Sequence, residues 1–515
     1  MASVGAVHPG NPRLSWRFAR SGAGQDGLSQ TRPQERDKSV SNAAGRKPNI
    51  LFIISDEHAP QTIGCMGADF AHTPTMDRLA ERGTLFTNTY CNAALCVPSR
   101  ASMMSGLLCD RIGMWDNGAA LPSNFPTWAH MMRDAGYRTV LDGKMHFCGP
   151  DQLHGFEEHW LEAADPIWSC RRGEEAPDGT AYKLWSHVHI RPDDTFASDR
   201  TSQCRYIKPN GRPDKDYHYI DVARKDAAVE FLSNQSADEP FCLTVGFIYP
   251  HYPQICSESA FHLYDGVDIP APTPRGDLSK RVRAWSDEVW GFNSFPPEQI
   301  PRARQAYMAM VTMLDGWIAE VLDALERSGL AENTIVIYSS DHGDMWGEHE
   351  LWGKCLHYEQ STRVPLIVSA PSLGVQQGAR IDAPVSLLDV YPTFRDIIGA
   401  EDWCADLDGR SLWAACRGAE ELKDVPVFCD YYGSDTEGSE RMVRYKQYKL
   451  NYYHRQGIEL FDLSSDPHEQ VNLADDPAYA EVREELLAMC MADWDVEAID
   501  AAVLADQNRR VLINR

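Results

Sequence analysis

With 515 residues the chain is long enough to bury a large core, and a globular enzyme of one or two domains is the default expectation. Its 49 Lys and Arg stand against 75 Asp and Glu, a net charge of -26, which excludes nucleic acid and anionic membrane surfaces as partners through long-range repulsion. The same field repels small anions, so any sulfate or phosphate site must assemble its own positive pocket.

Residues 1–47 carry Gly, Ser, Gln and several Arg without apolar periodicity and are expected to form a disordered extension. No apolar leader precedes a cleavage-like site, and no run of about 18 apolar residues is present to cross a bilayer. Fourteen scattered cysteines without a Cys-x-x-Cys pair argue against a zinc knuckle and fit reduced thiols in a cytoplasmic protein.

Order is expected from Pro48, where Asn49-Ile-Leu-Phe-Ile-Ile54 has the length and composition of a buried parallel strand and opens onto Ser55-Asp56-Glu57-His58. Next comes Cys91-Asn-Ala-Ala-Leu-Cys96-Val-Pro-Ser-Arg100-Ala-Ser-Met-Met-Ser-Gly106. Small and helix-compatible residues after Pro98 place Cys96 at the mouth of a helix, whose amino end favours negative charge. Tyr137-Arg-Thr-Val-Leu141 then leads into Asp142-Gly-Lys-Met-His146, and Phe241-Cys-Leu-Thr-Val-Gly-Phe247 leads into Tyr249-Pro-His251.

Apolar residues at helical spacing from Tyr307 to Leu325, closed by Gly329, predict a long helix whose Met and Trp residues are core. Thr334-Ile-Val-Ile-Tyr338 opens onto Ser340-Asp341-His342-Gly343. Polar clusters after four separate strands converge if the strands share an open sheet, because ligands bind there beyond the carboxyl ends. Strand-like runs at 425–429, 442–445 and 448–453, then a helix near 478–492, mark a change of pattern. The expectation is an α/β fold: a mostly parallel mixed sheet sandwiched by helices over residues 48–420, with a smaller C-terminal α+β domain over 421–515.

The pentapeptide Cys96-Val-Pro-Ser-Arg100 resembles the C-x-P-S-R signature of the sulfatase family, within the alkaline-phosphatase superfamily. Gly143-Lys-Met-His146 resembles that family's second signature. Segments around Glu359 and Glu459 extend the likeness from Pro48 to the end of the chain. The resemblance implies a sulfuric ester hydrolase in which a maturation enzyme oxidises Cys96 to formylglycine. The hydrated aldehyde then offers two hydroxyls on one carbon, one to attack sulfur and one whose deprotonation expels sulfate.

It also implies that Asp56, Asp341 and His342, with Cys96, hold a divalent cation, and that Glu57 is a further candidate ligand. Carboxylates suit calcium (Ca2+), and the imidazole leaves manganese (Mn2+) open. By the same resemblance Lys144 and Lys354 grip sulfate, His146 is the base that frees it, His251 protonates the departing alcohol, and Arg100 contacts the diol or steadies the helix.

The stretch Asp142–Phe156, the Trp115-Asp-Asn-Gly118 segment and the tail from Trp494 are similar to choline sulfatases, whose tail packs between subunits; a homo-oligomer follows as an expectation. Phe125, Trp128, Phe147, Trp160 and Trp168 are available for an aromatic cage around a quaternary ammonium, with ordinary core as their competing role. The match departs after Glu158 and around Tyr431. An arylsulfatase or other alkyl sulfatase, a phosphonate monoester or phosphodiester hydrolase, and an unmodified, inactive anion-binding protein remain open beside choline sulfate as readings of the chain.

Overall fold

In the computed structural model, which describes residues 45–161, 208–209, 217–252, 254–277, 279–284, 300–404, 406–433 and 436–513, the first apolar run forms the strand Asn49–Asp56. Its side chains alternate between two cores, as a strand covered on both faces requires. Leu51 and Ile53 join the cluster that includes Tyr307, Met310 and Leu314 of the long helix Ile300–Arg327. Ile50, Phe52 and Ile54 join the opposite one around Trp128 and Phe394.

This strand sits inside a nine-stranded sheet. The main path runs Ala379–Ile381, Thr84–Tyr90, Arg363–Ser369, Thr334–Ser340, Asn49–Asp56, Phe241–Pro250, Arg138–Gly143 and Glu158–Trp160, with Val385–Ser386 also on Thr84–Tyr90. Every pairing is parallel except those of Arg363–Ser369, which runs against both neighbours. Helices cover both faces, so the expected mixed, mostly parallel α/β sheet is the one observed.

Register does the work of convergence. Ser55 lies opposite Ser340 on the neighbouring strand, so Asp56 and Asp341 leave the sheet side by side. Gly143 lies opposite Gly246, so Lys144 leaves the same edge. Gly246 is required there, because a Cβ on it would stand 2.2 Å from the Lys144 carbonyl oxygen.

Beyond the large sheet, Val427–Tyr431, Glu440–Tyr445, Tyr448–Tyr453 and Gly457–Asp462 form an antiparallel four-stranded meander. Its last strand is one the run-based reading does not delimit. Leu486 and Cys490 of the helix Ala480–Met491 pack on Val443, Leu450 and Leu460 of the meander. The tail forms a further helix, Val496–Ile513, docked on its own chain against Ala93, Cys109 and Trp115.

Trp128 is fully buried, with its edge or face on Phe52, Phe156 and Phe394, so it is core and not part of a ligand cage. Trp160 packs on Phe231 and Phe147 on His154. Trp168, and the expected extension up to residue 44, lie outside the described residues. No helix among the described residues is long and apolar enough to cross a membrane.

Candidate active site

Cys96 is the first residue of the helix Cys96–Ser105, and its side chain is fully buried. Around its Sγ stand His342 Nε2 at 3.2 Å, Lys354 Nζ at 3.2 Å and Asp56 Oδ1 at 3.8 Å. Asp56, Cys96, Asp341 and His342 present ligand atoms within 4.8 Å of one another, and Asp56, Glu57 and His251 form a second such group. Strand ends, a helix start and two loops are thus gathered at one point, as the polar clusters after separate strands anticipate.

Arg100, one turn into the helix, locks this arrangement. Its Nε donates to Asp341 Oδ2 at 2.8 Å, and one terminal nitrogen donates to Asp56 Oδ2 at 2.9 Å and to the Ser55 carbonyl at 3.2 Å. The other donates to the Lys144 carbonyl at 2.6 Å. A planar fork suits this role, since it fixes two carboxylates and one backbone segment together. Ser99 Oγ adds a hydrogen bond to the Asp341 carbonyl at 2.6 Å.

Two lysines enter from separate loops. Lys144 Nζ is 2.7 Å from Asp56 Oδ2, and Lys354 Nζ is 3.1 Å from Glu57 Oε2. With Arg100 they supply the local positive pocket that an acidic chain needs for an anion. His251 Nε2 faces Glu57 Oε2 at 3.3 Å, while its Nδ1 lies 2.6 Å from the Tyr252 carbonyl. His146 lies in the same loop two residues past Lys144, buried, with a left-handed φ of 61°. Glu57 and Cys355 share that conformation at 64° and 73°, and each such residue stores roughly 1–3 kcal/mol of strain.

Burial opposes ionisation of Asp56, but Lys144, His251, Lys354 and Arg100 hold its carboxyl well below the usual range. Burial pushes Glu57 well above that range, with Lys354 opposing. Burial likewise works against the charge of Lys354, which Cys96, Glu57 and Asp56 nevertheless hold well above an ordinary lysine. Burial, then Lys354, holds His251 well below an ordinary histidine. Burial also lowers His342, and its Nδ1 lies 3.0 Å from the Gly343 carbonyl, which can only accept; the Nε2 lone pair is therefore turned toward Cys96 and Asp341.

These residues fit a hard divalent cation. The donor set is carboxylate-rich, and the Nε2 lone pair of His342 faces it.

Sequence reasoning missed Asp344, a buried carboxyl beside Glu57 that burial pushes up to about 6. It missed the part played by Tyr252, whose ring stacks on His251 at 4.3 Å and lies 5.7 Å from Lys354 Nζ. It quoted Asn117 without a role, yet Asn117 Oδ1 accepts from the Val97 N–H at 3.0 Å. Asp344 and Tyr252 each lie within two residues of an assigned histidine, and that proximity was the available signal.

A family model described as Sulfatase matches residues 48–400, and one described as N-sulphoglucosamine sulphohydrolase, C-terminal, matches residues 347–493. The choline-sulfatase of Rhizobium meliloti (strain 1021) is 34% identical over 492 residues, covering 91% of this chain and 91% of that protein. Arylsulfatase K of Bos taurus is 29% identical over 457 residues, covering 83% of this chain and 78% of its own. The crystal structure of the phosphonate monoester hydrolase of Agrobacterium radiobacter superposes with a TM-score of 0.68 at 22% identity, covering 87% of this chain and 96% of that one, a likeness of fold.

Proposed function

The chain belongs to the sulfatase family and hydrolyses sulfate esters, and on that premise we propose that its nucleophile is formylglycine made from Cys96 by a maturation enzyme. The observation that carries this reading is the position of Cys96 Sγ at the first residue of a helix, 3.2 Å from both His342 Nε2 and Lys354 Nζ. Sγ there stands in for the oxygens of the hydrated aldehyde, which supplies one hydroxyl to attack sulfur and a second to help release sulfate. Asp56, Asp341 and His342, with Glu57 as a further ligand, would hold a divalent cation, calcium by the hardness of its donors. Such a cation supplies a lowered pKa for the attacking hydroxyl.

The chain's own residues do the rest. Arg100 keeps Asp56 and Asp341 aligned while its donors stay occupied by them and by two carbonyls. Lys144 and Lys354 neutralise the sulfate oxygens at the helix amino end, where an anion is already favoured. His251 Nε2 protonates the departing ester oxygen. Burial and Lys354 depress its pKa, and a bound sulfate brings the negative charge that raises it. His146 takes the proton whose loss frees sulfate.

For the organic part we propose an alkyl ester of the choline-sulfate type. Support comes from the relative at 34% identity and from the Trp115-Asp-Asn-Gly118 segment beside the site, not from Trp128, which is core. The acidic surface favours a zwitterion over a bare anionic ester. The test has two parts. Peptide mass spectrometry should find Cys96 as formylglycine, and an unmodified thiol in fully active protein would sink the nucleophile. Choline sulfate should then exceed 3,3-dimethylbutyl sulfate, 4-nitrophenyl sulfate and a phenyl phosphonate monoester in kcat/KM. Equal values for choline sulfate and its neutral isostere would remove choline and leave the sulfatase.

A further inference from the structure

The helix that starts at Cys96 has no capping side chain from the residue before it, and its third residue, Pro98, has no N–H. The free donor of Val97, the residue after the nucleophile, is satisfied from outside the helix by Asn117 Oδ1 at 3.0 Å. Asn117 is buried, and its carbonyl accepts from Cys148 Sγ at 3.1 Å.

Its neighbour Asp116 is held by three donors. Oδ1 closes the local turn by accepting from the Gly118 N–H at 2.8 Å. Oδ2 accepts from Gln507 Nε2 at 3.1 Å and from an Arg510 terminal nitrogen at 2.7 Å. Arg510 and Asp116 form a buried ion pair, with side chains 4% and 5% exposed. The helix that carries Gln507 and Arg510 also lays Ile499 and Val503 on Ala93 and Trp115. Ala93 is three residues before Cys96. The last helix therefore reaches the nucleophile segment in two ways, directly by apolar contact at Ala93 and indirectly by holding Asp116, whose neighbour Asn117 accepts from the Val97 N–H.

We propose that the C-terminal helix Val496–Ile513 positions the nucleophile, with Arg510 and Gln507 acting as positioning residues through Asp116 and Asn117; this rests on the reading of Cys96 as the nucleophile. A buried carboxylate that loses its cationic partner is strongly destabilised where it stands, even with the Gly118 and Gln507 donors left to it. Without Arg510, Asp116 and the turn it closes move toward water, Asn117 follows, and the Val97 N–H loses its acceptor. The first helical turn then no longer fixes the nucleophile against His342 and Lys354. Misplacement by about 1 Å is enough to cost up to roughly 100-fold in rate while leaving the sulfate-binding lysines in place.

The experiment uses the full-length matured protein, with formylglycine content measured by peptide mass in each variant. Arg510→Met should lower kcat about 5- to 30-fold at equal formylglycine content, with KM within about 2-fold of the parent. Arg510→Lys should restore most of the loss, because the charge on Asp116 is again paired. In an Asn117→Ala background, Arg510→Met should cause no further fall, since the path it acts through is already cut. Should Arg510→Met not fold, Gln507→Leu removes the weaker bond to the same oxygen and should lower kcat about 2- to 5-fold, again only when Asn117 is present. A parent-like kcat in Arg510→Met, or an undiminished loss in the Asn117→Ala background, would overturn the coupling. Turnover surviving in Cys96→Ala would instead refute the nucleophile on which the coupling rests.

Discussion

The cluster around Cys96 and the cluster around Lys449 are both buried, both mix carboxylates with cations, and both tie distant segments together. In the second, Lys449 Nζ sits 3.0 Å from Glu359 Oε1 and 2.8 Å from Glu469 Oε1, and the Glu359 N–H donates to Glu469 Oε2 at 2.7 Å. Tyr90 donates to Glu359 at 3.1 Å and accepts from Arg444 at 3.0 Å. The charges there point at one another, and the result is a rivet between the large sheet and the meander. Around Cys96 the charges also pair, but His342 Nε2 and Lys354 Nζ each stand 3.2 Å from a single sulfur atom. Buried charge alone therefore says nothing about chemistry; convergence on a reactive atom does.

The largest effect that would separate the two clusters is on turnover. Cys96→Ala should lower kcat by about 10^4- to 10^6-fold while the thermal midpoint stays close to the parent's. Lys449→Met should do the opposite. It strands two buried carboxylates and should cost about 3–5 kcal/mol of stability by denaturant titration, with kcat of the folded fraction unchanged. If Lys449→Met lowered kcat at full folding, the division between site and rivet would fail.

A smaller loss is expected within the site. Asp341→Asn keeps side-chain volume but weakens the proposed hard-cation site at a carboxylate that also accepts from Arg100 and from the Glu57 and His342 N–H groups. Elemental analysis should show loss of the bound cation, and kcat should fall about 100- to 1000-fold. Unchanged metal content would remove Asp341 from the ligand set and assign it to fixing Arg100.

The difference between the clusters also marks what the sequence makes legible. Apolar runs ending in polar residues locate the strands around Asp56, Lys144, His251 and Asp341, because a parallel strand covered on both faces has a one-dimensional signature. The helix start at Cys96 is legible for a similar local reason. Asn117 is not, since its role exists only because a distant loop folds over the first helical turn.

The docking of the last helix is hidden by composition. Ile499 and Val503 continue into Gln507 and Arg510 on one buried stripe, so polar residues occupy positions where apolar periodicity would be sought. Trp128 shows the reverse limit. An aromatic near an active-site motif has the same one-letter appearance in a core as in a cage, and only its contacts with Phe52, Phe156 and Phe394 decide.

The smallest expected effect, and the one that sharpens the comparison most, is a pH dependence confined to the rivet. Burial pushes Glu469 up to about 7 from an ordinary 4.5, with Lys449 opposing and Glu359 adding to the rise. Burial also opposes ionisation of Glu359, but Lys449, Arg363 and Arg444 hold it below its ordinary value. The two partners therefore titrate in different windows. Glu359 contributes stability above its unfolded pKa, and that contribution is lost only on further acidification. Glu469 binds a proton more readily in the folded state, so its contribution is fully present below about 4.5 and is lost as pH rises through about 7. Glu469→Gln keeps the shape and removes the titration. The stability difference between parent and Glu469→Gln should change by on the order of 1–3 kcal/mol between pH 5 and pH 8, the parent losing more as pH rises. Denaturant titrations at the two pH values measure it, and kcat/KM against pH should superimpose for the two proteins because no reacting atom lies in the rivet. A stability difference that stayed constant with pH would mean that Lys449 keeps both carboxylates ionised, and the rivet would then be an ordinary buried ion triad.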